Sequence, residues 1–283
     1  MSIGNLVSVY RYPVKSMSGE SLSSVTLNTN GIPGDRAWAV RDEVRGGIRG
    51  AKKFPELMRM SARYEQPPAD SGSSPAEITL PNGAKTGTGD VNINEKLSNT
   101  LDHAVSLWPL MPEDALDHYR RGPPGHDDVE KELRAIFGRT PDEPLPDLSI
   151  FPKELMEFES PLGTYFDAFP LTLMTIQSLN TMQQRAPDSK FDVRRFRPNL
   201  LIESSSSDPF PELDWIGKTF TIGEAAIDIT FSSPRCSMTT HGFDDLPKDP
   251  TIMRALVREA EGNLGVYATI RQPGEVTVGD ELR

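Results

Sequence analysis

The sequence predicts a β-rich α+β protein, and three observations carry that reading. Short segments alternate apolar and polar residues with β-branched enrichment, the pattern of half-buried strands. The 283 residues include 22 glycines and 25 prolines, which suits a strand-and-turn body better than a helical bundle. Helical spacing of apolar residues is confined to a few separate stretches.

Taken in order, residues 6–12 and 23–29 read as strands, NGIPGD (30–35) as dense turn chemistry, and 36–42 as the next strand. The segments 77–83 and 103–110 continue the pattern after a polar loop at 67–76. GAKTGTG (83–89) looks superficially like a phosphate loop, but it lacks the G-K-[ST] run and reads as a loop after a strand. GGIRG (46–50) lacks dinucleotide spacing and reads as a turn. A second polar loop, 121–128, leads into a helix over 128–138, with Val129, Leu133, Ile136 and Phe137 at helical spacing and Gly138 placed to end it. Another helix begins near Thr175, whose hydroxyl can cap it, and a proline-led strand follows at 196–203. KTFTIG and AAIDITFSSP are strands leading into Cys236. Residues 250–262 form an amphipathic helix with Ile252, Leu256 and Val257 on one side, and GVYATI and EVTVGDEL close the chain as strands. The length exceeds the ~250 residues at which one core usually stops growing. Two intimately packed domains are therefore expected, 1–125 and 126–283.

An apolar fraction of 36% and a charged fraction of 25% fit an ordinary globular chain. The net charge of −11 argues against a general nucleic-acid binder, which needs a basic face. The charge is uneven, however. Residues 34–63 hold eight Lys or Arg against four acids, and 185–197 hold five against two, whereas 113–148 hold ten acids against five bases. Basic stretches on an acidic chain point to a compact anion site such as a phosphate, or to solvated faces. The opening residues show no signal-peptide pattern, and no apolar run approaches the roughly 18 residues of a membrane span. The expectation is a soluble, cytoplasmic protein without a membrane anchor.

The single cysteine excludes an internal disulfide, a four-cysteine zinc site and an iron–sulfur cluster held by this chain alone. No G-x-S-x-G elbow, H-E-x-x-H pair or calcium loop occurs. His103, His118, His126 and His241 show no metal-ligand spacing, and the adjacency of His241 to Cys236 supports a nucleophile pair only weakly. Cys236 follows Arg235 at the end of a strand. A thiol beside a cation is biased toward thiolate, the form that binds metal or attacks an electrophile, whereas a lone cysteine in an arbitrary protein is more often a small packed hydrophobe.

The segments YPVKS (12–16), GDRAW (34–38), FRPN (196–199), PRCSMTT (234–240) and VGDEL (278–282) occur together and in this order. The set resembles the MOSC proteins, in particular the group that includes the amidoxime-reducing component, from residue 6 to 282. The resemblance implies an N-terminal β-barrel-like domain packed on a MOSC β-barrel domain with peripheral helices. It also implies a molybdenum cofactor, a metal held by the dithiolene of a phosphate-bearing pterin. Cys236 would be the metal ligand and catalytic residue, a soft thiolate suited to such a centre. Lys15, Ser16, Arg36, Ser178, Arg197, Asn199 and Arg235 would be the cofactor-binding residues, Arg fitting because its planar fork can hold a phosphate through two parallel bonds.

The chain departs from that pattern at Pro234, where relatives often have Ser, and in the turn His241-Gly242-Phe243-Asp244, which replaces an acidic one. The resemblance implies an oxidoreductase that reduces small N-hydroxylated substrates such as amidoximes. The alternative is a carrier of the cofactor or a sulfur-transfer protein using Cys236, although no pyridoxal-phosphate domain accompanies it. A reductase needs an external electron donor, expected to be a cytochrome b5-like carrier or a ferredoxin or flavin reductase chain meeting the acidic 113–148 segment.

Overall fold

The computed structural model describes residues 2–149 and 151–283. Seven strands close into a barrel: β1 (Gly4–Arg11), β2 (Leu171–Thr175), β3 (Leu200–Ser204), β4 (Thr219–Ile222), β5 (Ala225–Pro234), β6 (Asn263–Gln272) and β7 (Glu281–Leu282). Around the ring the order is β1-β3-β2-β6-β5-β4-β7 and back to β1. Every pairing is antiparallel except β2–β3, which is parallel and linked by a helix, as a parallel crossover requires. The ring has no free edge, so its backbone groups are paired without a partner chain.

The first strand of the chain is thus a stave of a barrel otherwise built from residues 171–282. Leu6 lies opposite Ile202, and both are fully buried in the barrel core with Val9, Leu173, Ile227, Val266 and Leu282. Ile202→Ala should destabilise the protein by about 2–5 kcal/mol, the usual range for emptying a buried aliphatic site. Chemical denaturation should show a lower midpoint at unchanged slope, and an unchanged midpoint would contradict this packing.

The N-terminal half adds a ladder of Trp38–Asp42 with Val105–Pro109, and a three-stranded sheet of Ser61–Arg63, Glu77–Thr79 and Lys85–Gly87. These pack with helix α1 (Ile93–Leu101) around Met17, Leu57, Met60, Ile78 and Leu97. Three longer helices follow: α2 (Val129–Phe137), α3 (Ile176–Arg185) and α4 (Thr251–Ala260). Leu116–Tyr119 and Glu154–Glu157 form single turns. The protein is a β-rich α+β fold with a closed seven-stranded barrel and six α-helices among the described residues.

Most elements lie where the pattern places them, with instructive exceptions. Asp128 caps α2 by accepting from the Lys131 amide, and Gly138 ends it at φ +61°. Val129, however, is exposed, because it sits in the first turn on the solvent side. Lys85–Gly87, read as loop, is a strand with Thr86 buried. The proline-led strand begins only at Leu200, since Arg197 adopts a left-handed conformation just before it. No helix among the described residues is long and apolar enough to cross a membrane.

Candidate functional site

Within the barrel, the C-terminal end of β1 lies beside the N-terminal ends of β2 and β3, and the C-terminal end of β5 beside the N-terminal end of β6. The segments that follow β1 and β5 and that lead into β2 and β3, together with Tyr267 of β6, enclose one pocket. Five cations line it, Lys15, Arg36, Arg195, Arg197 and Arg235, and Asp167 is the one acid that lines it with them. Cys236, Ser16, Thr172, Met238 and Thr239 and the rings of Phe169, Phe196 and Tyr267 complete the wall.

Three of these residues hold rare backbone conformations. Ser16 (φ +70°), Arg36 (φ +49°) and Arg197 (φ +55°) are left-handed without being glycine. Such conformations cost of order 1–3 kcal/mol each and persist only where the surroundings over-determine them. The surroundings are visible at each. The Ser16 hydroxyl accepts from the Ala51 amide (3.0 Å) and lies so close to Gly50 that a Cβ there would sit 2.6 Å from it. The Arg36 amide donates to Tyr12 O (2.7 Å), and its guanidinium pairs with buried Asp35. Asp35 is held in turn by Asn199 Nδ2 (3.0 Å) and the Tyr12 amide (2.7 Å). Arg197 donates through Nη1 to Met17 O, and its guanidinium lies over the Tyr12 ring, 4.1 Å from the centroid.

Arg197 is the site's least satisfied cation. Its Nη2 is buried without a hydrogen-bond partner. Burial pulls its guanidinium down to about 10, still far above neutrality, so it stays charged. Lys15 donates to Tyr165 O (2.7 Å) and Asp167 Oδ1 (2.9 Å). Desolvation alone would raise Asp167, but Lys15 and Lys52 outweigh it and hold the carboxyl well below the usual carboxylate range. Against five lining cations the site offers only Asp167 and, behind Arg36, Asp35. A low-dielectric pocket with that excess is receptive to a multiply charged anion.

The Cys236 loop is braced from beneath. Cys236 is half-buried, and the 3₁₀ turn after it is tied by Thr239 Oγ1 donating to Cys236 O (3.1 Å) and Thr240 Oγ1 to Ser237 O (2.7 Å). Fully buried Arg195 reaches Thr239 O, His241 O and Pro247 O, clamping the far side of the loop. Arg235 is turned inward, with Nε donating to Leu264 O (2.7 Å) and Nη1 to Phe196 O (3.1 Å). The cation that adjacency suggested as a partner for the thiol is therefore engaged with backbone carbonyls, and its hydrogen bonds hold β6 and the FRPN segment together.

Of the eight residues singled out from sequence, six line the pocket: Lys15, Ser16, Arg36, Arg197, Arg235 and Cys236. Asn199 stands behind Asp35. Ser178 lies outside the pocket, its hydroxyl donating to buried Glu212 (2.5 Å) at the capped start of α3. Asp167, Phe169, Thr172, Arg195 and Tyr267 were not singled out. Arg195 lies inside the basic stretch 185–197, a signal that could have found it, whereas Asp167 has no local signature. Among the described residues no three His, Cys, Asp or Glu side chains gather as a metal cage.

Fold and pocket define a barrel protein with an anion-receptive, thiol-bearing site. The chain is a MOSC domain protein with an N-terminal β-barrel: residues 3–111 match the MOSC N-terminal beta barrel domain and residues 163–283 the MOSC domain. It is 27% identical over 282 residues to a molybdenum cofactor sulfurase of rice, Oryza sativa subsp. japonica, a match covering 92% of this chain and 31% of that protein. The chain thus spans about a third of that relative's length. Among solved structures, the YUAD protein of Bacillus subtilis aligns over 99% of this chain and 93% of its own at 12% identity and a TM-score of 0.43. YiiM of Escherichia coli aligns over 41% and 53% at 18% identity and a TM-score of 0.32. Likenesses this loose say nothing about the site.

Proposed function

We propose that the pocket binds a molybdenum cofactor, with Cys236 as its protein ligand, and that the protein reduces small N-hydroxylated compounds. The observation that supports this most is the buried, unpartnered Nη2 of Arg197 among five lining cations beside a single thiol. The residues fit such a group. Lys15, Arg36 and Arg197 would hold its anionic part, and Cys236 would offer a soft donor to a metal whose other ligands the pterin brings. When bound, the cofactor supplies the two-electron chemistry by which an N-hydroxyl compound, two electrons and two protons give an amine and water. The chain's own residues anchor the group and, through Phe169, Tyr267 and Met238, shape the space left for a substrate.

Electrons must come from outside, because one cysteine cannot hold an iron–sulfur cluster and the sequence has no dinucleotide fingerprint. The donor would be a cytochrome b5-like carrier or a ferredoxin or flavin reductase chain docking in a small, transient interface on the acidic 113–148 segment, in the cytoplasm. Purified protein should reduce benzamidoxime with chemically reduced viologen and not with NADH alone. Turnover supported by NADH alone, after removal of contaminating reductases, would refute the external donor.

The rice relative favours a second reading, in which the protein carries the cofactor or moves sulfur on Cys236. Metal analysis, the viologen assay and mass spectrometry of Cys236 separate the two. Bound molybdenum without turnover, together with a persulfide on Cys236, would replace the reductase by the sulfur-transfer reading.

A further inference from the structure

The segment between the two matched domains, 112–162, contributes a second groove beside the Cys236 loop. His126, Asp128, Glu130, Lys131, Arg134 and Arg139 supply its charged wall. The groove abuts the loop directly: a Cβ on Gly138 would lie 3.4 Å from Ser237 Cα, and Arg254 donates to Gly138 O. Arg139 is 6% exposed, and its Nε is buried without a partner. Its Nη1 reaches only the thioether of Met253, at 2.6 Å. Its guanidinium lies against Gly262 (φ +79°), where a Cβ would sit 1.9 Å from Nη2 unless the side chain moved.

The acids nearby are already engaged. Asp128 caps α2, Glu130 pairs with Arg134 (2.8 Å), and Glu143 pairs with Arg254 (2.5 Å). Arg139 and, at the rim, Lys131 have no ion-pair partner among the described residues. A buried guanidinium without an acid is costly unless an anion reaches it, and its planar fork matches a carboxylate.

We propose that this groove binds the carboxylate of a small organic anion next to Cys236, with Arg139 as its main partner and Lys131 assisting at the rim. The site does not depend on the cofactor reading.

Its test uses Cys236, the sole cysteine, as the reporter in the full-length chain purified from a host that makes no pterin cofactor. Alkylation by iodoacetate is compared with alkylation by iodoacetamide, its neutral isostere, and each is normalised to glutathione. The ratio cancels any change in thiol reactivity. The expected preference for iodoacetate is about tenfold, or 1.4 kcal/mol, and its rate should saturate with concentration. Acetate should compete. Arg139→Gln should remove the preference, Lys131→Gln should reduce it roughly two- to threefold, and Arg197→Ala should leave saturation in place. If Arg139→Gln does not fold, Arg139→Lys, which keeps the charge and loses the fork, should retain only part of the preference. A linear rate, a preference unchanged in both the Arg139 and Lys131 variants, or one lost instead in Arg197→Ala would overturn the site. Protection by inorganic phosphate stronger than by acetate would overturn the carboxylate class.

Discussion

Cys236→Ala is expected to give a folded protein with no bound molybdenum and no benzamidoxime turnover above background. The side chain is half-buried and offers no cap bond to the turn it precedes. That turn is tied instead by Thr239, Thr240 and Arg195. Losing one sulfur there should cost under about 1 kcal/mol, within the range of substitutions that break no packing or network. Loss of metal and turnover together with an unchanged melting curve would therefore isolate the ligand role. Cys236→Ser sharpens the test, since a hydroxyl is a hard donor and should not restore the metal. Wild-type turnover in the alanine variant would sink the assignment of Cys236.

Arg197→Ala should lower cofactor occupancy by roughly tenfold to a hundredfold, the equivalent of about 1.5–3 kcal/mol for hydrogen bonds to a charged group. The guanidinium is positioned by its stack on Tyr12 and its bond to Met17 O, which leaves Nη2 buried without a partner in a residue that lines the pocket. Arg197→Lys should recover part of the occupancy, because it restores the charge without the planar fork. Arg36→Ala should act in the same direction and also free Asp35, leaving an uncompensated buried carboxylate, so it should lower stability more than Arg197→Ala does. The measurements are molybdenum and pterin content per chain and the thermal midpoint. If molybdenum and pterin stay at wild-type level in both variants, these arginines do not hold the cofactor.

Much of this molecule is local enough to read from sequence. The caps at Asp128 and Thr175, the stop at Gly138 and the buried face of α4 at Ile252 and Leu256 depend on residues within one or two turns of each other. Alternation marks β1 and the Trp38–Asp42 strand for the same reason. Leu171–Thr175 is harder, since it is buried at all five positions and a short buried run has no period to detect. Six of the pocket's residues were legible because they sit in short motifs whose order along the chain is distinctive, and the two basic stretches pointed to the same place.

What the sequence determined by itself was therefore chemistry and local form: one thiol, clustered cations, strands with dense turns, and where three of the six helices begin. Tertiary structure alone decided which groups face one another. Closure of the barrel joins Leu6 to Ile202 across nearly the whole chain, and that distant pairing carries Lys15 and Ser16 to the Cys236 loop. It also brings Asp167 to Lys15, turns Arg235 away from the thiol toward Leu264 and Phe196, and engages Ser178 with Glu212. The reason is physical. Backbone and capping preferences act over a few residues, whereas the direction of a buried charge is set by whichever carbonyls and carboxylates the closed barrel leaves within hydrogen-bonding reach.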